Sequence, residues 1–156
     1  MPTPIRAFVF DAYGTLYDVH SLITLAEELA PFADAAETLA KLAPRPRVIL
    51  SNGTLAMLRP LVAQSPLAPH LDDILSVDAA QTYKPAPAVY RLAVDRLQLP
   101  AEAIAFVSAN GWDAAGAKAF GFTTFWINRQ GLPIERHAAE PDFVVATLGH
   151  IPAIVS

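Results

Sequence analysis

Val9-Phe10-Asp11-Ala12-Tyr13-Gly14-Thr15-Leu16 is the stretch whose reading decides the fold. The apolar run over residues 5–10 has the character of a buried parallel strand, and it stops abruptly on an acid. Turn chemistry follows: Gly14 admits backbone angles closed to other residues, and Thr15 offers a hydroxyl. In an open α/β sheet, a carboxylate just past the carboxyl end of a strand lies where such folds bind ligands. A lone acid there also serves as a plain turn cap. Asp11 therefore takes its meaning from what the later strands deliver to the same edge.

Outward from that stretch, strands are expected at 48–50, 74–77, 104–107 and 123–127, with a short sixth at 142–145. Helical spacing of apolar residues predicts helices at 21–30, 33–42, 55–64, 88–97 and up to 120, with a final turn or two at 148–154. Pro60 is expected to kink its helix or end it early. Residues 67–71 read as loop. Strands alternating with helices at this rhythm predict an α/β fold: a doubly wound parallel sheet, Rossmann-like, in three α/β/α layers. No repeat, low-complexity tract or long linker divides the chain, so residues 1–156 are expected to form a single domain.

Composition narrows the function classes. The chain is 53% hydrophobic and 17% charged, too apolar for disorder. No apolar run approaches the roughly twenty residues of a spanning helix. The start, Met-Pro-Thr-Pro, lacks the basic and apolar regions of a signal peptide, and the expected compartment is the cytoplasm. With 0 cysteines, disulfides, thiol catalysis and cysteine-ligated metal are excluded. A net charge of -4 and the absence of a basic run argue against a nucleic-acid partner. The high apolar content leaves room for a homodimer interface.

A doubly wound sheet gathers the residues just after its strands into one crevice. They are Asp11 and Thr15 after the first strand, Ser51 and Asn52 after the second, Lys84 after the third, and Ser108, Asn110 and Asp113 after the fourth. Each has an ordinary alternative: Ser51-Asn52-Gly53 as a turn, Lys84 as a solvated loop residue, Asp113 as a favourable charge at a helix start. Trp112 and Trp126 read as core or pocket wall, and His20, His70, His137 and His150 share no ligand spacing. Coincidence at four successive strand ends outweighs these alternatives. The chain has no G-x-S-x-G elbow, no Walker loop, and no G-x-G-x-x-G after the first strand. An ammonium beside a carboxylate favours its ionised form, the state a nucleophile requires. Asp11 as nucleophile with Lys84 as counter-ion is the economical reading.

These residues resemble the haloacid dehalogenase superfamily, and within it the L-2-haloacid dehalogenases. The resemblance rests on FVFDAYGTLYDV at 8–19, ILSNGT at 49–54, SVDAAQTYKP at 76–85 with Val89-Tyr90, FVSANGWDAAGAKAFGF at 106–122, and WINR at 126–129. Phosphatases of the superfamily carry D-x-D at the first strand, the second Asp protonating the leaving alcohol; here that position is Tyr13. A departing halide needs no proton. Asn110 stands where a Mg²⁺-binding acid is expected, and two carboxylates opposed by Lys84 make a poor hard-cation site. The resemblance thus implies metal-independent, cofactor-free hydrolysis of a 2-haloacid. Asp11 displaces the halide to form an ester, and a water held by Asp113, Ser108 and Asn110 releases the 2-hydroxyacid. Ser51, Asn52 and Thr15 are implied to hold the substrate carboxylate and halide, with Tyr13, Tyr90 and Trp112 lining or supporting the pocket.

One departure remains. Relatives of this type insert a helical cap after the first strand, bearing an arginine for the halide, yet no Arg occurs between Ala7 and Pro44. Arg59 and Arg129 are the available replacements, and spacing places neither over the site. Without a lid, water is expected to enter and screen Lys84. The alternatives are a Mg²⁺-dependent phosphatase-like hydrolase with an open site, and a core that serves as an interaction module with weak or no activity.

Overall fold

The computed structural model describes residues 3–19, 29–133 and 139–156. The helix expected at 21–30 falls almost wholly outside them, as do His20 and His137.

Six strands form one parallel sheet: β1 (Ala7–Phe10), β2 (Arg47–Ser51), β3 (Asp73–Ser76), β4 (Ile104–Ser108), β5 (Thr123–Ile127) and β6 (Phe143–Val145). Their spatial order is β3-β2-β1-β4-β5-β6. The chain winds one way from β1 through β2 to β3, then crosses back to β4 beside β1. That reversal puts the topological switch between β1 and β4, where Phe10 pairs with Val107. An α/β sheet opens its ligand crevice at this point.

Strand alternation splits the core into two layers, one on each side of the sheet. Phe8 and Phe10 of β1, Ile49 of β2, and Ala105 and Val107 of β4 pack with Leu39 and Leu42 of α1 (Ala35–Leu42) and Leu58 and Leu61 of α2 (Leu55–Ala63). Leu148 and Ile151 close this layer, the latter opening α5 (Ile151–Val155). Ala7, Val9, Val48, Leu50, Ile104 and Phe106 face the other way. They meet Val89, Tyr90 and Ala93 of α3 (Pro87–Leu97), Ala117 of α4 (Gly111–Phe120), and Phe122. Burial on both faces explains why the strands read as continuous apolar runs.

Pro60 lies inside α2, which runs to Ala63, one residue short of the expected end. A proline frees only the carbonyl one turn earlier, and Ala56 is exposed to water that can satisfy it. Residues expected as loop contain a 3₁₀ turn, Ala68–His70, preceded by Leu67 N–H donating to Ser65 Oγ at 3.2 Å. No helix among the described residues is long and apolar enough to cross a membrane.

The packing of α3 against α4 carries a sign reversal. Glycine in a helix is normally worth about 1 kcal/mol less than alanine. At Gly116, however, a Cβ would stand 2.6 Å from Pro85 Cβ and 2.9 Å from the Tyr90 hydroxyl. Gly116→Ala is expected to destabilise the protein by roughly 1–3 kcal/mol, the usual overpacking range, rather than to stabilise it. Urea denaturation measures the difference, and a gain in stability would show that α3 and α4 separate freely.

Candidate active site

The site is built from the loops that leave β1, β2, β3 and β4. After β1 the chain turns through Gly14, at φ +84°, a left-handed conformation that side chains disfavour. The turn closes with Gly14 N–H donating to the Tyr17 carbonyl at 2.8 Å. It leaves Asp11 7% exposed, with every carboxylate oxygen engaged. Oδ1 accepts from Lys84 Nζ at 3.1 Å. Oδ2 accepts from the Thr15 hydroxyl at 2.9 Å and from Asn110 Nδ2 at 3.2 Å. Thr15 is held in turn, its Oγ accepting from Ala109 N–H at 2.8 Å.

Lys84 ties the two carboxylates together. Its Nζ also reaches Asp113 Oδ2 at 2.9 Å, and it lies 5.3 Å from the centre of the Phe106 ring. Asn52 places the lysine from the β2 loop, its Oδ1 accepting from Lys84 N–H at 3.0 Å. Burial by itself would lower the ammonium's pKa. The charges of Asp11 and Asp113, with their hydrogen bonds, overcome this and hold it above its ordinary value. The lysine side chain is 1% accessible, which corrects the expectation that an open site lets water screen it.

Asp113 lies in the first turn of α4 and is fully buried. Burial drives its pKa up, Lys84 pulls against this, and the neighbouring Asp11 charge adds to the rise, leaving it above the ordinary carboxylate range. Its Oδ1 accepts from the Tyr90 hydroxyl at 2.7 Å. That phenol is itself raised by burial and by the Asp113 charge, so it remains a donor. Tyr90 therefore supports Asp113 from beneath, buried against Phe106, Phe120 and Phe122, and is not among the residues lining the neighbouring cavity.

The remaining sequence candidates divide. Ser51 and Ser108 are buried, each accepting from the backbone N–H two residues on, Gly53 at 3.0 Å and Asn110 at 3.1 Å. Both brace their loops. Tyr13 packs beside Gly53, its hydroxyl buried without a hydrogen-bond partner among the described residues. Burial raises its pKa. Trp112 is 42% exposed and absent from the cavity wall; Trp126 lines that wall instead, its Nε1 donating to the Ala109 carbonyl at 3.1 Å. Arg59 is exposed on α2, whereas Arg129 borders the cavity. His70 is half-buried and His150 exposed, away from the carboxylates' hydrogen bonds. Sequence reasoning missed the Arg129 Nη2 bond to the Thr15 carbonyl, 3.2 Å, which joins residues 114 apart.

The Lys84 ammonium bonds to one oxygen of each carboxylate, and the other two oxygens accept from Thr15, Asn110 and Tyr90. Among the described residues no group of three His, Cys, Asp or Glu side chains is arranged to hold a metal.

A family model described as haloacid dehalogenase-like hydrolase matches residues 19–121. The (S)-2-haloacid dehalogenase of Pseudomonas sp. (strain YL) is 44% identical over 140 residues, covering 86% of this chain and 60% of its own length. The chain thus spans 60% of that relative's length, less than two thirds. The crystal structure of the L-2-haloacid dehalogenase RSc1362 superposes with a TM-score of 0.93 at 31% identity, covering 98% of this chain and 99% of that one. A structure of the Xanthobacter autotrophicus L-2-haloacid dehalogenase with chloropropionic acid covalently bound gives 0.86 at 29% identity, covering 97% and 98%.

The lysine bridge makes a pH prediction. Its folded pKa lies above the unfolded value, so its stabilisation is complete below about pH 10.5 and is lost as pH rises through the folded pKa. Lys84→Met leaves two facing buried carboxylates and is expected to lose about 3–5 kcal/mol near neutral pH. Its stability should also lack the alkaline decline of the parent. Urea titrations across neutral and alkaline pH check both, and parallel pH curves would refute the bridge.

Proposed function

The chain belongs to the haloacid dehalogenase-like hydrolase family, and from that premise we infer that it hydrolyses L-2-haloacids to 2-hydroxyacids at Asp11, without a metal or other cofactor. The observation that carries this reading is the Asp11 carboxylate, fixed by Lys84, Thr15 and Asn110 beside a second carboxylate on the same lysine. Residues 1–156 act in this reading as one core domain.

The reaction has two halves. An Asp11 oxygen attacks the α-carbon from the side opposite the halide. A carbon–oxygen bond forms, the carbon–halogen bond breaks with its electron pair, and the configuration inverts. Three donors hold the carboxylate in one orientation for this displacement, which limits the reorganisation needed at the moment of reaction. Tyr13 at the second position beyond the nucleophile supplies no acid, and a halide requires none.

Water then attacks the ester carbonyl of Asp11. Its oxygen enters the Asp11 carboxylate, and the original aspartate oxygen leaves on the product. Asp113 accepts the proton from that water, and its raised pKa suits a base better than an ordinary surface carboxylate does. Lys84 offsets the negative charge that builds up between the carboxylates in both halves. Thr15 and Asn110 act on Asp11 itself, because their bonds go to its Oδ2.

The chloropropionic acid covalently bound in the Xanthobacter autotrophicus dehalogenase supports a covalent intermediate in this reading. Halide release from L-2-chloropropionate is the direct test. Asp11→Asn is expected to reduce it by roughly a thousandfold or more. Absence of release from the parent at high enzyme concentration refutes the reading. Single turnover in heavy-oxygen water should place the label on Asp11 and leave the first product unlabelled. The acid limb of the pH–rate profile should lie above the ordinary carboxylate range, and Tyr90→Phe should move it further up by removing a donor from ionised Asp113.

A further inference from the structure

The turn that carries Asp11 is held from its far side by a residue of another strand end. Thr15 is fully buried, and its hydroxyl is used in both directions. Oγ donates to Asp11 Oδ2 at 2.9 Å and accepts from Ala109 N–H at 2.8 Å. The direction of that hydroxyl depends on the peptide planes on either side of it. Gly14 precedes it at φ +84°, with nothing within 4 Å of where a Cβ would stand. The Thr15 N–H makes only a long bond, 3.3 Å, to the Ala12 carbonyl.

The peptide that follows is pinned at both poles. Its N–H, on Leu16, donates to the Ala12 carbonyl at 3.0 Å, and its carbonyl, on Thr15, accepts from Arg129 Nη2 at 3.2 Å. A buried carbonyl deprived of its donor turns toward another, and a planar peptide that turns carries the adjoining side chain with it. Arg129 is equipped to hold one direction. Its guanidinium lies 3.6 Å from the centre of the Phe32 ring, and Phe32 N–H donates to the Leu16 carbonyl at 2.8 Å. The stacked ring thus belongs to the same turn assembly. Asp34, at 3.9 Å, and the nearby charge of Asp18 balance the cation. What reaches the site from Arg129 is therefore a directed N–H bond and not an excess of charge.

We propose that Arg129 is a positioning residue for Asp11, acting through the Thr15 peptide. It fixes the peptide plane that keeps the Thr15 hydroxyl between Asp11 Oδ2 and Ala109 N–H. The inference rests on the reading of Asp11 as the nucleophile and adds a residue that reaches it only through Thr15.

Hydrogen exchange at Ala109 reports this geometry without turnover, because its N–H bonds to the Thr15 hydroxyl. Arg129→Gln is expected to speed Ala109 exchange severalfold, while Phe8, whose N–H in β1 bonds to the Pro46 carbonyl, keeps its rate. Halide release should show kcat lowered by roughly tenfold or more with KM little changed. Thr15→Ala already removes the hydroxyl, so Arg129→Gln added to it should cost little more in either measurement. Unchanged Ala109 exchange, an equal rise at Ala109 and Phe8, or the same cost in both backgrounds overturns the proposal. Where Arg129→Gln fails to fold, Arg129→Lys keeps the charge facing Asp34 and Asp18 without the planar fork, and carries the same comparison with the same refutation. No halide release from the parent fails the dehalogenase reading, and the exchange comparison then decides the proposal by itself. Release with additive costs fails the proposal alone.

Discussion

One ammonium between two carboxylates sets the terms for everything around it. Lys84 Nζ reaches Asp11 at 3.1 Å and Asp113 at 2.9 Å with almost no contact with solvent. A charge buried in this way is stable only if its neighbours are held in place, because a lost partner leaves an uncompensated ion in a low-dielectric interior. The surrounding structure supplies that hold. Asn52 fixes the lysine's backbone, Tyr90 the far side of Asp113, and Thr15 with Asn110 the second oxygen of Asp11. Core packing, turn geometry and site chemistry therefore share one constraint.

The same constraint explains why glycine is needed where α4 passes α3. Gly116 lets the Tyr90 hydroxyl and Pro85 approach, and Pro85 directly follows the lysine. Tyr90 is wedged among Phe106, Phe120 and Phe122, whose rings fix its direction as it reaches toward Asp113. The aromatic cluster on that face of the sheet thus sets the environment of the proposed base as well as adding apolar burial.

Much of this was legible in the sequence because strand ends are marked twice, by the end of an apolar run and by turn residues. β5, Thr123–Ile127, has the predicted bounds, and β1, β2 and β4 differ from theirs by a residue or two at their ends. Asp11, Lys84 and Asp113 follow from position alone, since parallel strands bring their ends together whatever the side chains do. What could not be read is anything decided by side-chain direction. For Tyr90 the sequence left lining and support both open, because the two look identical in a helix pattern; its hydroxyl bonds to Asp113 from beneath. Trp112 and Trp126 read alike in the sequence, as core or pocket wall, yet one is 42% exposed and the other 6%. Arg129 stacking on Phe32 joins the end of β5 to a segment before α1, a contact that no local spacing announces.

The distinction between floor and mouth bears on what a lid would contribute. Water excluded by a lid strengthens electrostatics only where water would otherwise reach. Lys84, Tyr90 and Asp113 are already dry through the packing of α3 and α4 against the sheet. Their interactions therefore do not depend on a covering segment. The groups that retain contact with solvent are at the mouth: Asp11 slightly, Asn110 and Arg129 more so. A lid over such a site would act at the mouth, while Asp113 and its lysine remain governed by the core. Ionisation of the floor and access at the mouth are then separable properties, set by different residues of the same sheet edge.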